Sequence, residues 1–259
     1  MKKLIPALCM LLVATALLGT STYAWFSMNT QVAATGMQVK AITSKNLVIS
    51  NNSTKGDGEA ASATSSFSGI VALSPASTQT LASTQNFFKV DGEKIDYTTG
   101  AMKNGAAVTA ATPVTSGTTG EVVKHTFYIR VDGATDDTFS KLYVSGITLS
   151  TSSQNITKAL RVGVVSGSYG YIYAPVNGAT VEYKGLVSAG TYGTNSVVAD
   201  ENVTLTAVNT DTATLGAVSS SAYTTVDVYI WYEGQDENCT SANSVNVEEV
   251  VVTVSFTAA

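Results

Sequence analysis

From Val122 to Val131 the chain alternates with a period of two. Val123, His125, Phe127, Ile129 and Val131 fall on one side, and Lys124, Thr126, Tyr128 and Arg130 on the other. Residues 225–233 repeat the pattern, with Val226, Val228, Ile230 and Tyr232 on one face and Thr225, Asp227, Tyr229, Trp231 and Glu233 opposite. This period belongs to half-buried β-strands; an amphipathic helix repeats its apolar positions every three to four residues. Further strands are expected at 37–42, 46–50, 141–149, 159–165, 169–174 and 203–208. In the last strand Val245 and Val247 share a phase that Val250, Val252, Val254 and Phe256 break by one residue. An extra residue at Glu248-Glu249, a β-bulge, restores the pleat. No long helical pattern follows the N-terminal leader, and a helix within 76–90 has little support.

Between the strands run stretches of Ser, Thr, Ala and Gly at 51–86, 98–120 and 188–221. Long structureless loops are uncommon inside compact domains, so these are surface insertions or hold weak strands. The expectation is an all-β, jelly-roll-like antiparallel β-sandwich over residues 38–259, with loop insertions near 51–120 and 185–222.

Charge is scarce: 13% of residues are charged, against about 25% in ordinary globular proteins. The net charge of −5 offers no electrostatic footprint for nucleic acid. An apolar share of 44% argues against global disorder.

Residues 1–24 have the layout of a cleaved secretory signal helix. Lys2 and Lys3 precede an uncharged run from Leu4 to Gly19, and small Ala24 ends the segment. The run falls short of the roughly 20 apolar residues a membrane span needs. Cleavage between Ala24 and Trp25 is expected, with membrane contact only during export, and N-terminal sequencing would check it. The cut leaves 235 of the 259 residues, a net charge of −7 once Lys2 and Lys3 are lost, and Cys239 without a partner for an intramolecular disulfide. A packed, unreactive Cys239 is expected. With no LPxTG signal and no C-terminal apolar span, covalent wall attachment by that route is not expected.

Candidate chemistry is thin. His125, the single histidine, lies on the apolar phase of its strand and reads as a satisfied histidine at a core edge. One histidine cannot supply an HExxH zinc site, and no nucleophile-elbow motif accompanies the serines. The expectation is no catalytic residues, no metal site, no cofactor and no enzyme activity. The acidic groups Asp132…Asp136-Asp137, Asp200-Glu201 and Glu233…Asp236-Glu237 match no spaced calcium loop and read as solvated turns. Gly185…Gly190…Gly193 precede no helix and form no nucleotide fingerprint. Tyr169, Tyr171 and Tyr173 share one strand face; core or loop packing is the plain reading, and a glycan-binding platform of an adhesin the alternative.

The new N-terminus is the most informative stretch. Phe26, Met28, Thr30, Val32 and Ala34 alternate on one face, with Trp25 on the other, and no charge occurs before Lys40. Edge strands ordinarily carry charges or prolines that block pairing between molecules; their absence permits it. An ordinary first strand of the same domain fits the residues equally well.

Thr22-Tyr23-Ala24-Trp25-Phe26, ending an apolar leader, resembles the T-[YW]-A-[AW]-F junction of the TasA/camelysin (CalY) family of Gram-positive biofilm-matrix proteins. Val32-Ala33-Ala34-Thr35-Gly36-Met37-Gln38-Val39 is similar to that family's run into its first strand. Val228-Tyr229-Ile230-Trp231-Tyr232-Glu233-Gly234-Gln235-Asp236 resembles, less specifically, a C-terminal strand and turn of related exported proteins. The resemblance covers residues 1–50 and implies a secreted jelly-roll subunit, cell-surface associated and trimmed by a dedicated signal peptidase. It implies self-association into extracellular fibres, alongside an accessory matrix protein, with residues 25–37 as the donated strand. The metallo-endopeptidase label of the camelysin branch does not carry over, since the zinc motif is missing.

Overall fold

The computed structural model describes residues 33–34, 38–41, 47–64, 71–81, 85–90, 95–96, 101–102, 109–149, 155–174, 182–183, 185–188, 206–207, 214–236, 238–240, 242–243 and 250–259. These residues are mostly β, arranged chiefly as two facing sheets with a smaller sheet on the outside. The expected 1–24 leader, residues 25–32 and the 248–249 bulge lie outside them.

The larger sheet has seven antiparallel strands in the order Thr206–Ala207, Gly185–Ser188, Tyr169–Ala174, Leu160–Ser166, Thr224–Tyr232, Val122–Val131 and Leu47–Ser50. At its centre Thr224–Tyr232 pairs with Val122–Val131 on one side and Leu160–Ser166 on the other, so the two longest apolar alternations lie side by side next to a strand buried along its whole length. Gly167, at φ +57°, lets the chain turn between Ser166 and Tyr169 in two residues, a backbone shape that L side chains adopt reluctantly.

The second sheet runs Glu182–Tyr183, Leu142–Leu149, Val252–Ala258, Gln38–Ala41 and Ser62–Thr64. It is antiparallel apart from the Gln38–Ala41 and Val252–Ala258 pair, which is parallel. Val144, Ile147, Leu149, Val252, Val254 and Phe256 from this sheet meet Phe127, Ile129, Val162, Val164, Val226, Val228 and Ile230 from the larger one in a single buried core. A bulge lies on Leu142–Leu149, where pairing steps from Val144–Phe256 to Gly146–Ser255 and leaves Ser145 over. That extra residue is why Leu142 and Val144 share the buried face with Ile147 and Leu149, one position out of phase.

The 51–86 stretch is not a loop. It contains Ser62–Thr64, Val71–Leu73 and Ala76–Leu81, and the last pairs with Gln85–Lys89. Within 76–90 the described residues are therefore two antiparallel strands, where a helix had faint support. With Ala110–Ala111 this hairpin makes a three-stranded sheet. Ala76, Leu81, Phe87 and Ala111 bury Val122, Val165, Ile172, Tyr229 and Trp231 in a second core on the outer face of the large sheet. Phe87 meets Trp231 edge-on at 5.2 Å between ring centroids and lies 5.5 Å from Tyr229.

Candidate functional site

The N-terminal segment enters the described structure at Ala33–Ala34, which pairs antiparallel with Val71–Leu73 of the same chain. Thr119–Gly120 flanks Val71–Leu73 on its other side, so Ala33–Ala34 is an outer strand of that three-stranded sheet. Ala34 is thus held by its own subunit, and Gln38–Ala41 lies inside the second sheet. Ala24, Trp25, Phe26, Met28, Thr30 and Val32 fall outside the described residues.

His125 is buried at the edge of the main core. Its ring lies 4.4 Å from that of Phe127, and Nε2 is 3.1 Å from Asn51 Oδ1. Burial pushes its pKa below the usual histidine range, with Asp227 acting weakly the other way. The tyrosine row is not an exposed platform: Tyr173 is fully buried, and Tyr171 donates its hydroxyl to the Thr214 carbonyl at 3.1 Å. Tyr169 alone of the three stands out, 41% exposed.

One acidic group departs from expectation. Asp132 and Asp136 are solvated, but Glu233 and Asp236 are not turn-surface residues: both are buried. Their partner is Arg161, whose alternation places it under the outer sheet with no solvent exposure. Arg161 Nη2 donates to Asp236 Oδ2 at 2.6 Å, while Nη1 donates to the carbonyls of Lys158 and Leu160 at 2.8 and 3.1 Å. Glu233 accepts from Trp231 Nε1 at 3.2 Å and from the Gln235 N–H at 3.0 Å. Burial pushes the Glu233 carboxyl up to about 7, against the pull of Arg161. Asp236 also caps the next turn by accepting from the Asn238 N–H at 2.8 Å. Cys239 is buried and free, its thiol pushed up to about 12 by burial and by the carboxyls of Glu233 and Asp236. Asp200, Glu201 and Glu237 lie outside the described residues.

A second charged cluster ties down the 51–61 turn. Arg130 grips Glu59 through one guanidinium edge, Nε donating to Oε1 at 2.5 Å and Nη2 to Oε2. Tyr223 adds a hydroxyl donor at 2.5 Å and Gly56 a backbone N–H at 3.0 Å. Hydrogen bonding to Arg130, strengthened by Tyr223, holds the Glu59 carboxyl down at about 2. These groups satisfy one another.

Among the described residues, no group of three or more His, Cys, Asp or Glu is placed to hold a metal ion. No described helix is long and apolar enough to cross a membrane. No family model, curated protein or solved structure matches the chain.

Proposed function

We propose that this chain is a secreted structural subunit that polymerises head to tail into extracellular fibres. Residues 25–32 of one copy add a strand to a sheet of the next. The observation that carries the reading is where the chain enters the body: Ala33–Ala34 forms an outer strand, and the uncharged, alternating segment directly precedes it. Strand addition satisfies open backbone donors and acceptors and buries alternate side chains, here Phe26, Met28, Thr30 and Val32. Eight extended residues reach about 26 Å, enough to run along a neighbouring sheet. A contact of this kind, joining two different surfaces without closing, propagates as a filament.

Pairing of Ala33 and Ala34 within their own subunit shortens the donated segment from 25–37 to 25–32. The test is charge on the buried face of that segment. Met28→Lys together with Val32→Lys, in the chain beginning at Trp25, should leave a monomer by sedimentation velocity with an unchanged far-UV spectrum. Polymers that persist at wild-type level would refute the mechanism.

A further inference from the structure

The outer sheet is joined to the large one at a corner that buries, among the described residues, the carboxyls of Glu233 and Asp236 beside the guanidinium of Arg161. Ala76 bridges to Glu233, and the Gly234 N–H donates to the Ala76 carbonyl at 2.9 Å. Glu233 shares the strand face of Tyr229 and Trp231, so its carboxyl lies beneath the hairpin, beside Ser77. The groups around it are Arg161 from Leu160–Ser166, Trp231 from its own strand, Gln235 and Asp236 from the following turn, Cys239 beyond it, and Ser77 from the hairpin. Among the described residues they comprise one guanidinium and two carboxyls, and that guanidinium bonds directly to Asp236.

We propose that Glu233 is a proton-operated latch. Holding a proton, it keeps the hairpin Ala76–Leu81 and Gln85–Lys89 seated on the aromatic face of the large sheet; losing it, it loosens that hairpin ahead of the rest of the fold. With the hairpin seated, burial keeps the carboxyl protonated up to about pH 7. With the hairpin lifted, water reaches the group, which then titrates near its ordinary value of 4.5. The seated state therefore binds more protons between those limits, and rising pH favours opening. The opening constant should climb about tenfold per pH unit from roughly 4.5 to 7, some 300-fold in all, and level off above. What opening uncovers is apolar: Trp231, Tyr229, Ile172 and Val165.

Native-state hydrogen exchange on the full mature chain from pH 5 to 8, corrected for the intrinsic rate, reads this directly. Amides of Ala76–Leu81 and Gln85–Lys89 should show the climb at a smaller opening free energy than those of Leu160–Ser166 and Thr224–Tyr232, which exchange only through the larger unfolding that also frees Glu233. In Glu233→Gln, which keeps one acceptor oxygen and the side-chain shape but cannot titrate, the climb at 76–90 should vanish. A flat wild-type profile at 76–90, hairpin amides as well protected as the central strands at every pH, or a climb that survives Glu233→Gln would each overturn the proposal. The comparison of hairpin with central strands is made in the wild type and decides the matter even if the variant does not fold.

Discussion

Arg161 has no solvent exposure and answers two buried carboxyls. Replacing it by Leu strands the Asp236 charge in an apolar layer and removes the cation beside Glu233, so Arg161→Leu should cost about 3–5 kcal/mol of unfolding free energy in urea titration. A loss below 1 kcal/mol would show that the cluster is not what holds that corner. Glu59 belongs to the opposite pH window. Its folded carboxyl is held at about 2, below its ordinary 4.5, so its contribution is complete above pH 4.5 and disappears as pH falls toward 2. Glu59→Gln should cost about 2 kcal/mol at pH 6, a charge-assisted bond's worth, with the gap to wild type closing in acid; a gap independent of pH would contradict this. The buried cluster was half legible. Glu233 and Asp236 lie where turn residues lie, and nothing local distinguishes them from solvated acids. The available signal was Arg161 itself, a charge within Leu160-Arg161-Val162-Gly163-Val164-Val165, since a strand apolar on both faces admits an arginine only with a partner. That partner is 75 residues away, and spacing alone does not reveal it.

At the scale of elements, the outer sheet sits against two glycines. A Cβ at Gly163 would come 2.5 Å from Leu81 Cδ2, and one at Gly234 would come 2.5 Å from Val90 Cβ. Leu81 can swing its branch aside; Val90 cannot move its Cβ without its backbone. Gly234→Ala should therefore cost about 1–3 kcal/mol by overpacking, and should raise exchange at Phe87 and Phe88 more than at Val162 and Val164. Uniform loss of protection would mean that the outer sheet does not move as a unit. Strands with long alternation, such as Val122–Val131, were readable because both faces have distinct environments over many residues. The outer hairpin was not: its six- and five-residue strands are rich in Ser, Thr, Gln and Asn, and they bury few large side chains. The bulge at Ser145 was readable in principle, since Leu142, Val144, Ile147 and Leu149 break phase as openly as the C-terminal residues do.

For the whole molecule, the sandwich explains how a chain with so few charges stays folded: two sheets share one core, and a third sheet covers the aromatic outer face. The polar remainder is Ser, Thr and Asn, which keep a surface wet without the repulsion that stops sheets from meeting edge to edge. The proposed fibre depends on that property and on the segment ahead of Ala33. Negative-stain electron microscopy of two mature chains, one beginning at Trp25 and one at Ala33, compares them directly. Filaments from the first, with discrete particles of equal strand content from the second, is the predicted result; filaments from both, or from neither, would contradict it.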